Sequence, residues 1–471
     1  MKNFDLIILG QGSAAFAAAI KANEMNVKTA MIGWEVTKGA TLGGTCVNVG
    51  CVPSKNLITM GNLFYQTIMQ EFDAIRYSKT EFDFKRAIEI KNELVKRFRR
   101  DKYADVLKGL DNVEFIHGYG RFVSKNEVVV GKSSLSSKKF LIATGARAKV
   151  LQLNGMDKID YLTNEEALDL EELPESMIVL GGRALGLEFA QMYSKFGTKV
   201  TVLQRSNRIL PDHEPEISSL LEGYLKDEGI DIRTGVELKN VSKKGKKKIV
   251  RYTFKGGEKE VEAEKLLFAT GRIPNTDGLD AHKAGVRLTP QGFVSVNDEM
   301  HTSASNIWAA GDVIGEPMLE TVAAKEGSIA VDNAFANGHK KINLVEVPRA
   351  VFTYPEVASV GLTDSQANGL GVKCACGVLP LDLVPKSHII GDTRGLIKLV
   401  VERKTKRVVG VHILSPHAAD LIHEGALIVK FKLTIDDIID TVHVFPTLSE
   451  GIKLAAQSFY HDVSKMSCCT E

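Results

Sequence analysis

Two cysteines sit where an inert structural pair would not need such surroundings. In the stretch GGTCVNVGCVPSK, residues 43–55, four residues separate Cys46 from Cys51. That spacing spans about one helical turn and predicts both sulfurs within disulfide reach. A dithiol that opens and closes is the expected chemistry, and either thiolate would gain from the positive end of a helix. Two buried, unreactive cysteines are the blander reading. Gly43, Gly44, Gly50 and Pro53 argue against it, because they mark a specially shaped backbone. Lys55, one turn beyond Cys51, is either a solvated lysine or a fixed positive charge for an electron-rich group.

The elements that must position this pair are legible on both sides of it. Residues 4–9 form an apolar strand and Gly10, Gly12, Ser13, Ala14 and Ala15 form the turn GxGxxA. A helix then runs through Met25, and a second strand covers 27–32. This order predicts a dinucleotide site: Gly10 permits the tight turn, Gly12 lets a pyrophosphate approach, and Ala15 keeps helix and strand close. An acid is expected at the end of the second strand to hold the ribose. Gly33 stands there, so Glu35 is the substitute candidate.

The same order recurs. A strand ends at Gly181-Gly182, a helix follows Arg183 over LGLEFAQMYSKFG, and residues 199–203 form the next strand. Two such units imply two dinucleotides. Arg183 occupies the central glycine position, where its side chain either crowds a pyrophosphate or swings out to meet phosphate charge. The strand after that helix ends in Gln204, not in an acid, and Arg205 and Arg208 follow. A neutral residue beside two arginines favours the extra phosphate of NADPH over NADH.

Two further segments match each other: KFLIATGARAKV at 139–150, with Thr144-Gly145, and KLLFATGRIPNT at 265–276, with Gly271-Arg272. Each is a strand closing into a glycine turn beside a cofactor. The second unit, 151–270, therefore reads as inserted into a first unit made of 1–150 and 271–345. NIWAAGD at 306–312 returns the chain to the first site. From about 348 the texture changes to alternating runs, GLIKLVVE and RVVGVHIL, with helices expected at 417–430 and 448–460. The fold class is α/β: two Rossmann-like units, one inserted in the other, plus a C-terminal α+β domain over 346–471.

Composition excludes several classes. The 471 residues suit two to four domains. A net charge of +2 gives no support to a nucleic-acid or membrane partner. The basic run KKGKKK at 243–248 has no aromatic platform and reads as a solvated hairpin turn. No uncharged apolar stretch is long enough to span a bilayer, and the opening strand leaves no room for a signal peptide. A cytoplasmic location is expected, where paired cysteines point to redox or metal chemistry.

The motifs resemble those of the class I flavoprotein disulfide reductases, also called pyridine nucleotide-disulfide oxidoreductases, over essentially the whole chain. Gly44, Thr45, Cys46 and Cys51 match their redox-disulfide motif. The resemblance implies that Cys46 is the outer thiol that meets substrate and Cys51 the inner thiol against FAD. TSASNIWAAGD matches the second FAD motif, in which Asp312 would bind the ribityl chain. Glu188 matches the family glutamate that pairs with a lysine near the flavin, here Lys55. The C-terminal domain resembles the family's dimer interface and implies a homodimer with shared active sites.

Substrate is read from the end of the chain. Family members that reduce organic disulfides carry HPTLSE or a close relative, with the histidine as acid–base. Here HVFPTLSE at 443–450 puts Phe445 in that position. A phenyl ring transfers no proton, and His443, on the alternate side of an extended segment, reads as structural. Adjacent Cys468 and Cys469 close a disulfide only with strain, but as thiols they suit a soft metal such as Hg(II). A terminal segment would carry them between solvent and a buried site. This end resembles the mercuric reductases, which implies Cys46, Cys51, Cys468 and Cys469 as the Hg(II) ligands and Hg(II)–thiol complexes as substrate. An NAD(P)H-dependent reductase of low-molecular-weight disulfides is the alternative enzyme, and a flavin-bearing metal scaffold the non-enzymatic one. Cys374 and Cys376 match no motif; soft-metal binding and incidental surface placement both stay open for them.

Overall fold

The computed structural model describes residues 2–34, 42–68, 72, 74–75 and 80–467. The expectations placed on Glu35, Cys468 and Cys469 therefore lie outside the described residues.

The run Leu6-Ile7-Ile8-Leu9 has no polar alternation, and the strand containing it, Lys2–Leu9, is central and buried on both faces. It pairs in parallel with Thr29–Gly33 and with Ser133–Ile142. Val113–His117 extends one side of this sheet, and Ile307–Ala309 joins Ser133–Ile142, so the chain does return from a distant segment. Helices Ser13–Glu24 and Glu320–Phe335 cover one face. They approach so closely that a Cβ on Gly327 would stand 2.1 Å from the Ala14 carbonyl oxygen. Any larger residue at 327 would push the two helices apart.

A second parallel sheet holds Lys265–Phe268, Ser176–Leu180, Lys199–Gln204 and Asp231–Thr234 in that spatial order. The basic run closes the hairpin between Glu237–Lys244 and Lys247–Phe254, as expected. Lys248 departs from the solvated reading: it is buried and meets Asp160 at 2.7 Å. The chain crosses between the two sheets twice. The crossings run side by side, Ala146–Ala148 antiparallel to Arg272–Pro274.

The C-terminal sheet is antiparallel, ordered Arg349–Val351, Glu356–Gly361, Val408–Ser415, Leu396–Glu402, Cys374–Pro380. Its expected alternation fails in Leu396–Glu402, where every residue but the last is buried. The cause is burial on both faces. Helices Ala418–Phe431 and Glu450–Gln457 cover one face. The other meets helix Pro215–Asp227 and the residue before it, where Lys398 Nζ binds Glu214 at 2.9 Å and Glu216 at 2.8 Å. The last long helix is shorter than the 448–460 expected.

Candidate active site

A cleft of about 530 Å³ opens at the carboxyl ends of the first sheet's strands. Gly10, Gly12, Ser13 and Ala14 form one wall. Gly10 has φ +145°, and a Cβ there would lie 2.1 Å from the Ala143 carbonyl oxygen. The turn must therefore be glycine both for its backbone angle and for its contact. Gly44 and Thr45 enter from the Cys46 segment, and Thr144, Gly145 and Asp312 complete the cleft. The Thr144 hydroxyl is buried with no hydrogen-bond partner among the described residues, a polar atom that a dinucleotide would satisfy. Burial raises the Asp312 carboxyl above its ordinary range, against the pull of Arg272.

Arg272 and Gly271 are placed differently from expectation. Arg272 bonds the Ala146 carbonyl and the Thr45 hydroxyl and stands 3.4 Å from Asp312. Neither residue lines the cleft; Gly271 sits at the chain crossing, where its carbonyl accepts Lys149 N at 2.9 Å. Gly33 also has a reason that its sequence neighbours hide. A Cβ there would fall 2.2 Å from Gln11 Oε1, so the place an acid would take is filled by Gln11.

Cys46 and Cys51 come together, but not across one continuous helix. Cys46 lies in Gly44–Val49 and Cys51 opens Cys51–Ile68, with Gly50 between them outside helical geometry. The chain doubles back so tightly there that a Cβ on Gly50 would be 2.9 Å from the Thr45 carbonyl oxygen. Both cysteines are free thiols lining the cleft. The Cys46 thiol donates to Cys51, and this bond, with the Lys55 charge, holds the Cys51 thiol down at about 7 against the opposing effect of burial. The same partnership, with burial, drives Cys46 strongly upward. One member is thus thiolate in substantial part near neutrality and the other stays protonated.

Lys55 Nζ pairs with Glu188 Oε2 at 2.7 Å. This joins the redox helix to Ala184–Phe196, the helix that follows the second glycine turn. Glu320 and Glu326 had no sequence signal. Glu320 lines the cleft, and Glu326 accepts the Gly311 amide at 2.8 Å while burial lifts its carboxyl to about 7.

The second glycine turn repeats the first. Gly181 has φ +115°, and its Cβ would stand 2.3 Å from the Ala269 carbonyl oxygen. The Gly182 amide donates to Gln204 Oε1 at 2.9 Å, so Gln204 supports the turn itself. Arg183 needs no glycine: its φ is −97°, and its guanidinium turns outward to Asp212. Arg205 is exposed. Arg208 binds the Pro211 and His213 carbonyls at 2.7 and 3.3 Å, so much of its donor capacity is already committed to the loop. In the C-terminal segment His443 is held by Glu424 at 2.9 Å, and Phe445 is exposed.

Residues 4–327 match the family model for pyridine nucleotide-disulphide oxidoreductases, and residues 347–456 match that family's dimerisation domain. The chain belongs to the pyridine nucleotide-disulphide oxidoreductases. As a member of that family it is a flavoprotein oxidoreductase, an enzyme using a flavin and a pyridine nucleotide. It is 42% identical to a mercuric reductase of Lysinibacillus sphaericus, over 99% of this chain and 84% of that protein. A dihydrolipoyl dehydrogenase of Thermus scotoductus is 34% identical, over 98% of each chain. Among solved structures of the family, the copper(II) complex of the HOCl-induced flavoprotein disulfide reductase RclA from Escherichia coli superposes with a TM-score of 0.86. It is 28% identical and covers 97% of this chain and 99% of its own. Among the described residues no helix is long and apolar enough to cross a membrane.

Proposed function

We propose that this oxidoreductase reduces Hg(II) to Hg(0) with NADPH as electron donor and FAD as resident flavin. The observation that carries the reading is the Cys46–Cys51 pair in a flavin-sized cleft, with Phe445 where disulfide-reducing relatives carry their acid–base histidine. The mercuric reductases that match nearly the whole chain support it.

FAD is assigned to 1–150 and 271–345, NADPH to 151–270, and the interface and metal-carrying tail to 346–471. Gly10, Gly12, Ser13 and Ala14 would hold the FAD pyrophosphate, and Asp312 the ribityl chain. Bound FAD would supply the transfer of an electron pair from the nicotinamide to the thiol site. The residues themselves do the rest. Cys51 offers a thiolate near pH 7, and Cys46 gives up its proton on binding the metal. Each incoming thiolate attacks Hg(II) before the outgoing ligand leaves, so no bare ion is released. The balance is NADPH plus Hg(II) giving NADP⁺, Hg(0) and a proton. Hg(0) departs because it holds thiolates poorly.

Cys468 and Cys469 of the partner subunit would deliver the metal in a cytoplasmic homodimer. The exposed Val442, Val444, Leu427 and Phe431 give the C-terminal domain an apolar surface suited to such an interface.

Elemental mercury in the headspace decides the function, with Hg(II)–thiol complexes, glutathione disulfide and lipoamide offered separately. Mercury release matched to NADPH consumption is expected, with little disulfide turnover. No vapour together with rapid disulfide turnover would make this a low-molecular-weight disulfide reductase. Cys468→Ser with Cys469→Ser is expected to hurt most on bulky thiol complexes and least on the bromide.

A further inference from the structure

We propose that Cys374 and Cys376 form a second site for a soft divalent cation, a two-thiolate clamp outside the cleft. The pair lies on the edge strand Cys374–Pro380 of the C-terminal sheet. Side chains two apart on a strand share a face. Gly377, between the cysteines and the strand's end, faces the opposite way, where a Cβ would meet the Phe459 ring at 2.5 Å. Cys374 and Cys376 therefore share the other face, and a single carboxylate gathers them. Cys374 Sγ donates to Asp364 Oδ1 at 2.9 Å, and the Cys376 thiol lies against the same carboxylate. Asp364 is fixed in turn, its amide donating to Glu214 Oε1 at 2.7 Å. Cys376 is exposed, so a ligand has access.

The chemistry selects the cation. Among the described residues no group of three or more His, Cys, Asp or Glu side chains is arranged to hold a metal ion. Ions that require three or four protein ligands are thus poorly served. Soft ions content with two sulfurs are not. A divalent ion with two thiolates is neutral, whereas a univalent one leaves a negative complex beside Asp364. Hg(II) is therefore favoured over Ag(I) or Cu(I). Partial desolvation and the Asp364 charge raise both thiols, with Cys376 pushed up to about 12. Binding forms two sulfur–metal bonds and releases two protons to solvent, with no change of oxidation state.

The test uses the FAD-loaded full chain carrying serine at Cys46, Cys51, Cys468 and Cys469, titrated with HgCl₂ against glutathione. One mercury per chain is expected after gel filtration. Because glutathione takes up the two protons that the clamp gives up, retention against it should stay nearly constant between pH 6 and 8. Adding C374S or C376S should abolish retention, and Ag(I) should compete poorly. Retention by the C374S/C376S chain, or mercury bridging two chains, would overturn the site. In the otherwise unaltered protein HgCl₂ should also shield both cysteines from iodoacetamide, read by peptide mass spectrometry. Unimpeded alkylation would reject the clamp whatever the variants do, and neither readout depends on turnover.

Discussion

Lys55 and Glu188 are separated by 133 residues in sequence and by 2.7 Å in space. The second Glu188 oxygen accepts the Phe352 amide at 3.0 Å, and Lys55 Nζ stands 4.7 Å from the centre of the Phe352 ring. One buried carboxylate thus ties the redox helix, the inserted unit and the start of the C-terminal domain together. Glu188→Ala should lower stability by about 3 kcal/mol, because it leaves a buried amide and a lysine charge unpaired. Glu188→Gln, which still accepts from Phe352, should cost less. Thermal unfolding of the flavin-loaded protein ranks the two; equal losses would show that the Phe352 bond is immaterial.

Arg205 and Arg208 should separate under mutation. Arg205 is exposed, whereas Arg208 is tied to the Pro211 and His213 carbonyls. Arg205→Ala should raise the KM for NADPH about tenfold and leave that for NADH unchanged, the loss of one charge-assisted bond. Arg208→Ala should instead lower thermal stability. Steady-state kinetics with both nucleotides checks the division, and an NADH penalty at Arg205 would contradict it.

Phe431 is an exposed aromatic at the end of helix Ala418–Phe431. Phe431→Glu places a charge on the apolar surface assigned to the dimer and should shift the protein towards monomer. Analytical ultracentrifugation at micromolar concentration reads this. A dimer of unchanged affinity would move the interface elsewhere.

Burial holds His213 down at about 4, and its Nδ1 has no partner among the described residues. A histidine with a depressed folded value favours folding fully above its ordinary 6.5, and loses that contribution as the pH falls to about 4. The loss over that window should be on the order of 3 kcal/mol. His213→Gln should flatten it. Denaturant midpoints at pH 7, 5.5 and 4 make the comparison, and parallel curves for the two proteins would remove His213 as the cause.

The glycine turns were legible because the tight β–α turn admits few other residues at its first position. The repeated ATG segment was legible as a repeat but not as a cause. Ala143 and Ala269 each present a carbonyl against which Gly10 and Gly181 must pack, a reciprocity that exists only in the folded chain. Gly33 and Gln204 both read as missing acids. In the fold the first makes room for Gln11 and the second bonds the Gly182 amide. Local spacing also put Cys46 and Cys51 on one helix, yet Gly50 breaks it. The alternation expected of Leu396–Glu402 was lost because a helix from the inserted unit covers its second face. No periodicity within the strand could report a partner so far away in sequence.

The paired crossings carry a consequence for the chain's architecture. Lys149 N and the Gly271 carbonyl are one hydrogen bond apart, so everything between them leaves and re-enters the host at a single point. A gene encoding the host could be rejoined across that point by a short turn, with its central strands left in register. The intervening unit is thus a cassette in its chain path, and a module replacing it would also have to supply the partners that Glu188 gives Lys55 and Glu214 gives Lys398.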